Sequence, residues 1–150
     1  MDAVTIRPAV RADLPAILAL YADDALALHP VGSDPTPYER AFDDILEDPR
    51  TAIYVATRDG VVVGTFHATV LIHLTWRVLQ LESVHVHSSE RGRGVGTRMM
   101  QWALEDAREK GCTRAQLTSQ KRRVDAHRFY ERLGFVRSHE GMKVDLVPVV

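Results

Sequence analysis

A strand that runs straight into a glycine-rich basic loop, and from there into an amphipathic helix, constrains this chain more than any other feature. Residues 84–97 read Val-His-Val-His-Ser-Ser-Glu-Arg-Gly-Arg-Gly-Val-Gly-Thr. A joint of this kind aims unpaired backbone N–H groups, and the positive end of a helix dipole, at one spot. Gly92, Gly94 and Gly96 let the main chain approach a ligand with no Cβ in the way, and Arg91 and Arg93 flank them. The loop reads as a cradle for a pyrophosphate.

Exclusion narrows which pyrophosphate. A dinucleotide fingerprint needs glycine where Thr97 stands, and it belongs in an early βαβ unit rather than mid-chain. A P-loop needs Gly-Lys-Ser/Thr after its spacer, and the chain has no such tripeptide. The pattern Arg/Gln-x-x-Gly-x-Gly is met by Arg91, Gly94 and Gly96. In this the loop resembles the coenzyme A loop of the GCN5-related N-acetyltransferases (GNAT). A glycine-rich helix entrance that binds nothing shares the local pattern, so the loop alone leaves both readings open.

The chain has 150 residues, enough for one domain with a substantial core. A formal charge of −1 gives the whole no nucleic-acid footprint. Its basic residues still gather around the loop and at Lys121, Arg122 and Arg123. There they are either a solvated face or help for an anionic ligand. The single cysteine, Cys112, excludes an internal disulfide framework and reads as a core or semi-buried thiol. No secretory leader is recognisable, and the apolar run 68–74 is too short to span a bilayer. A cytoplasmic protein without a membrane partner is expected.

Thr5, Ile6 and Arg7 start a strand that Pro8 closes. Asp13 is expected to cap a helix carrying Leu14, Ile17, Leu18 and Leu20, with the spacing running toward Leu28. Pro30, Gly32, Pro35 and Pro37 mark a loop before a second helix over 38–46. From Thr51 the period becomes that of strands, with Arg58-Asp59-Gly60 as a hairpin signal and a further turn near 73–76. A helix over 95–110 buries Val95, Met99, Ala103 and Ala107, four residues apart, and Gly111 stops it. A strand over 115–118, a helix over 124–133 and strands at 135–136 and 142–146 complete the chain. The expectation is a single domain, 1–150, of α/β class with a mixed, mostly antiparallel sheet of about seven strands and about four helices.

A second segment extends the likeness. Asp125-Ala126-His127-Arg128-Phe129-Tyr130-Glu131-Arg132-Leu133-Gly134-Phe135 resembles the GNAT stretch in which Ala, Phe-Tyr and Gly-Phe recur, one helix and one strand after the loop. The resemblance implies a GNAT fold whose strands splay to admit acetyl-CoA. The pantetheine arm would pair with the backbone of Val84, His85 and Val86. The pyrophosphate would rest on the N–H groups from Arg91 through Gly92, Arg93, Gly94, Val95 and Gly96 to Thr97, and Ala126 would face the cofactor. It implies Tyr130 as general acid toward the departing thiolate. It also implies Glu82 as general base, its pKa raised by burial in an apolar strand. Relatives often carry Asn seven residues before the tyrosine; Arg123 stands there, so no Asn role is carried over.

His85 is the substitute base if Glu82 is structural, and water is a third option. His85 and His87 are spaced as zinc ligands are, yet no acidic or cysteine partner completes a set, and no metal is expected. His29, Tyr38, His73 and Trp76 are the candidates for the acceptor side. The expected acceptor is a small primary amine, with some similarity to the aminoalkylphosphonate acetyltransferase branch. A peptide amine, a non-catalytic acyl-CoA-binding module and a purely structural dimerisation domain are the alternatives. A homodimer is a possible assembly.

Overall fold

A computed structural model describes residues 3–27 and 29–148, and Leu28, toward which the first helical spacing runs, lies outside them. The contacts divide the chain into two units, one ending at Leu117 and the other starting at Thr118.

The first unit is a five-stranded sheet in the order β1-β2-β3-β4-β5 with helices on its faces. β1 (Thr5–Pro8), β2 (Thr51–Arg58), β3 (Val61–Ile72) and β4 (Arg77–Val86) form an antiparallel meander. β5 (Arg114–Leu117) lies parallel to β4, the connection being the helix α3 (Val95–Glu109). The β2–β3 hairpin turns at Asp59 and Gly60, both at positive φ (52° and 77°), the geometry a two-residue turn requires to match strand twist.

α1 (Leu14–Ala22) and α2 (Thr36–Glu47) supply one side of the core. Leu14, Ile17 and Phe42 close on Ile53 and Val55 of β2. α3 serves the other face. Its Val95, Met99, Ala103 and Ala107 are all buried, as the four-residue spacing demands. Tyr54 and Phe66, stacked at 5.1 Å, both meet Trp102 of α3, at 4.8 and 6.3 Å. Gly64 marks the tightest approach. A Cβ there would stand 2.8 Å from Met99 Sδ and 3.3 Å from the His85 carbonyl.

Asp13 departs from its expected role. It stands at the N-cap position of α1, but its carboxylate makes no cap hydrogen bond to the helix. It turns back instead, accepting from both Arg7 guanidinium nitrogens (2.7 and 2.9 Å) and from the Val10 N–H (2.8 Å). A bidentate charged donor outcompetes a neutral amide for the same oxygens.

The second unit contains α4 (Val124–Arg132) and, after Gly134, irregular backbone. The expected strands at 135–136 and 142–146 are therefore absent among the described residues, and the sheet has five strands rather than seven. Apolar alternation makes a strand only where the segment joins another strand's ladder, and among the described residues neither run does.

Candidate active site

The site begins where two parallel strands stop pairing. β4 and β5 are in register from Val78↔Arg114 to Leu81↔Leu117, and there β5 ends. β4 continues to Val86, so residues 82–86 have no strand on that side among the described residues. On the other side β3 stays paired, but its register slips: His67 faces Glu82, whereas Thr65 faces His85. Phe66 is thus opposed by both Ser83 and Val84, a β-bulge, and Ser83 adopts φ +50° to make it. A non-glycine residue in that region is strained, and the bulge re-aims the strand's peptide groups.

Glu82 stands just before the bulge. It is exposed, against the expectation of a carboxylate buried in an apolar strand. The neighbouring sheet positions are more polar than the flanking valines suggested. His67, directly across from Glu82, has its Nε2 2.6 Å from the Thr51 hydroxyl, which in turn lies 2.8 Å from the Thr69 hydroxyl. Burial pulls the His67 imidazole below its ordinary value, and the Glu82 charge offsets part of that shift. The half-buried His85 ring packs on Tyr21 of α1 at 4.8 Å. Burial pushes the Tyr21 phenol up, while a hydrogen bond with the Ser83 side chain acts the other way.

Beyond β4 the chain makes a short 3₁₀ turn, Ser88–Glu90, capped by His87, whose Nδ1 accepts from the Ser89 N–H at 3.1 Å. Gly92 and Gly94 follow at φ +75° and +83°, with open space where a Cβ would stand. Gly94 is the N-cap of α3, and the Arg98 N–H is the first to reach back, to the Gly94 carbonyl at 3.0 Å. The N–H groups of Val95, Gly96 and Thr97 therefore precede any intrahelical acceptor. Two amides of the expected cradle are spoken for: Arg91 N–H donates to Ser88 O and Arg93 N–H to Glu90 O.

Glu90 is the residue sequence reasoning missed. It is buried at the base of the loop, and its Oε2 lies 3.2 Å from Arg58 Nη2 and 3.4 Å from Arg93 Nη1. The carboxylate ties the loop to the β2–β3 hairpin and holds one of the flanking arginines. Its signal was an acidic residue inside a basic loop, which has no reason to face an anion unless it serves the loop itself.

In the second unit Tyr130 sits between Phe129 and Phe135, at 5.1 and 5.6 Å, both edge-on. The backbone closes around it, with the Leu133 and Phe135 amides both donating to the Tyr130 carbonyl. Gly134 takes φ +98° in that turn. Burial pushes the phenol up to about 12, with Arg123 acting in the opposite direction. Tyr130 therefore carries its proton throughout the physiological range. Ala126, half-buried, lies in the first half of the same helix.

The four acceptor-side candidates do not gather. His29 is exposed in the loop before α2. The Tyr38 hydroxyl accepts from the Gly32 N–H at 2.6 Å, and its ring packs on the core beside Leu14 and Phe42. His73 and Trp76 stack at 4.8 Å in the β3–β4 turn, and the Arg114 guanidinium lies over Trp76 at 4.6 Å. That turn is at the opposite end of β4 from the glycine loop, ~20 Å along the strand from Glu82.

The first unit thus defines an α/β protein with one half-open strand edge that leads into free helix amides, an arrangement suited to a long ligand with a phosphate at one end. The chain matches the acetyltransferase (GNAT) family over residues 14–135 and belongs to that family. It is 35% identical over 97 residues to the aminoalkylphosphonate N-acetyltransferase of Salmonella typhimurium strain LT2, a match covering 63% of this chain and 62% of that protein. The matched region thus spans less than two thirds of that relative's length. Among solved structures it is similar to a transcriptional regulator from Bacillus halodurans C-125 (39% identity, TM-score 0.90, 96% of this chain and 100% of that one). It is also similar to a putative acetyltransferase from Agrobacterium tumefaciens C58 (28% identity, TM-score 0.83, 94% and 99%). No helix among the described residues is long and apolar enough to cross a membrane.

Proposed function

We propose that the protein transfers an acetyl group from acetyl-CoA to the primary amine of a small molecule. The observation that carries this reading is the unpaired stretch of β4, residues 82–86, which leads into the open amide cradle around Gly92 and Gly94. A pantetheine arm has amides that can add to a free strand edge, and a pyrophosphate needs convergent N–H donors at a helix N-terminus. Coenzyme A has both parts.

In this reading the bulged peptide at Ser83 and Val84 donates to the carbonyl oxygen as negative charge develops on it. The acceptor arrives as an ammonium ion and must lose a proton before it attacks. Glu82 is the base we favour, because its exposure leaves it open to an incoming amine; His85 and water are the alternatives. The amine nitrogen attacks the thioester carbon, a tetrahedral intermediate forms, and its collapse expels the CoA thiolate. Tyr130, the residue matching the family's general acid, would protonate that sulfur; a phenol held neutral up to about 12 has the proton to give. Arg91 and Thr97 would border the phosphates, and Ala126 would face the cofactor.

For the acceptor, the relative from Salmonella supports an aminoalkylphosphonate or another small amine. The rival reading is a module that binds an acyl-CoA without turning it over; one similar solved structure is described as a transcriptional regulator. The formal charge of −1 does not favour a nucleic-acid partner for that rival. A thiol-release screen with acetyl-CoA over amines, aminoalkylphosphonates, amino acids and peptide N-termini separates these readings. Thiol release with one small amine is the expected result. Thermal stabilisation by acetyl-CoA with no release for any amine would select the binding module. No stabilisation at all would remove the ligand assignment.

A further inference from the structure

One face of the first unit's sheet stays open beside Glu82, and it is polar. Side chains two apart on a strand share a face, so Glu82 and Gln80 point one way from β4. Leu79 and Leu81 point the other way and are buried. Gln80 is half-buried, and its Oε1 accepts from the Gln116 side chain of β5 at 2.9 Å. On β3, Thr69 faces Gln80 as His67 faces Glu82. Gln116 and Arg114, two apart on β5, extend the same face toward the β3–β4 turn, and both are exposed, as Glu82 is. Tyr21 of α1 packs on His85 at the other end. The open strip therefore runs one way, from Glu82 past the paired glutamines to Arg114.

Arg114 closes the strip with a positive charge. Its guanidinium lies over the Trp76 ring at 4.6 Å, and His73 stacks on the same indole at 4.8 Å. Trp76 is half-buried, so it holds the guanidinium by its flat face and leaves the edge N–H groups outward. Among the described residues no carboxylate engages them. A planar fork of fixed orientation takes a carboxylate or phosphate by two hydrogen bonds. Glu82 and Arg114 thus set opposite charges at the two ends of a neutral, hydrogen-bonding strip.

Arg114 is in register with Val78, four residues before Glu82, so the ends lie ~13 Å apart along the strand. An extended chain covers ~3.5 Å in three backbone bonds, which puts about eleven bonds between the charged groups of a ligand that fills the strip. We infer that the acceptor is an elongated primary amine with an anionic group at its far end, its ammonium beside Glu82 and its anion on Arg114. The side chains of Thr69, Gln80 and Gln116 suit a chain that carries amides or hydroxyls between its ends. A two-carbon aminophosphonate is too short to reach both. The inference rests on acetyl transfer with Glu82 at the amine end.

Thiol release from acetyl-CoA tests it, with ω-amino acids of increasing length each set against the alkylamine of equal length. The ratio of kcat/KM, amino acid over alkylamine, should rise with length and peak at about eleven carbons, at about tenfold or more. In Arg114→Gln that ratio should fall close to one at every length, and Arg114→Lys should recover part of it. A ratio taken within one variant is blind to a partial loss of folded protein, and melting of each variant serves as the folding check. Calorimetric binding of 11-aminoundecanoate to the protein with CoA is a second readout, and Arg114→Gln should weaken it by about tenfold. A ratio flat with length, or one that Arg114→Gln leaves intact, would overturn the inference while acetyl transfer stands. Fastest turnover with 2-aminoethylphosphonate would do the same. Thiol release from no amine at all would remove the acetyl-transfer reading itself, and the inference with it.

Discussion

The Glu90 carboxylate, buried beneath the glycine loop, lies 3.2 Å from the guanidinium of Arg58, whose side chain is only 16% exposed. The pair joins the loop to the end of β2. Arg93 reaches the same oxygen from within the loop at 3.4 Å. Replacing Glu90 with Gln leaves Arg58 beside a neutral partner in a low-dielectric setting, and breaking such a pair costs about 3 kcal/mol. Urea unfolding should show a lower midpoint with an unchanged slope. Acetyl-CoA affinity, followed by thermal shift, should fall as well, because the loop loses its anchor.

Gly64 is expected to be intolerant for a different reason. An added Cβ would press on Met99 Sδ, which can shift, and on the His85 carbonyl, which cannot move without disturbing the bulged strand. Gly64→Ala should therefore destabilise by ~1–3 kcal/mol, the ordinary cost of overpacking. Chemical denaturation measures it, and a neutral result would mean that Met99 absorbs the strain alone.

His67 predicts an acid-side loss of stability. Burial holds its folded pKa below the ordinary 6.5, so the folded state resists a proton that the unfolded chain accepts. The stability from this group is complete above 6.5 and is lost as pH falls through the depressed value. Melting temperature should drop on acidification from neutrality. His67→Asn should flatten that part of the profile while leaving the later loss caused by Asp13, whose carboxyl is held below its ordinary value chiefly by Arg7.

Tyr130 predicts the alkaline counterpart. Its folded pKa of about 12 exceeds the ordinary 10, so its stabilising contribution is complete below 10 and is lost as pH rises toward 12. Absorbance titration of tyrosinate should show one late component that Tyr130→Phe removes. In turnover the same variant should lose ~10²–10⁴-fold in kcat, the range for a general acid, with KM little changed. Activity equal to wild type would end its assignment as the acid.

The glycine loop and the Ala126 to Phe135 segment were legible in the chain because local chemistry writes them. Positive φ at Gly92, Gly94 and Gly134 calls for glycine, and a helix entrance needs no distant partner to expose its amides. The α3 face was legible through its four-residue spacing. Glu82 was located correctly in β4, but its burial was misjudged, since flanking apolar residues do not reveal which side of a strand is covered.

The sequence by itself determined the family and the order of the elements through α4. Tertiary structure decided the rest. It ended β5 at Leu117 and bulged β4 at Ser83, which together free one strand edge. It set Glu90 beneath the loop and put His73 and Trp76 at the opposite end of β4 from the glycine loop. Among the described residues it also left the last two apolar runs, 135–136 and 142–146, out of the sheet. Period and turn chemistry act within a few residues along the chain, and they fix what each segment can become. Which edge stays open, and which charge is buried against which, depends on segments tens of residues apart meeting in space.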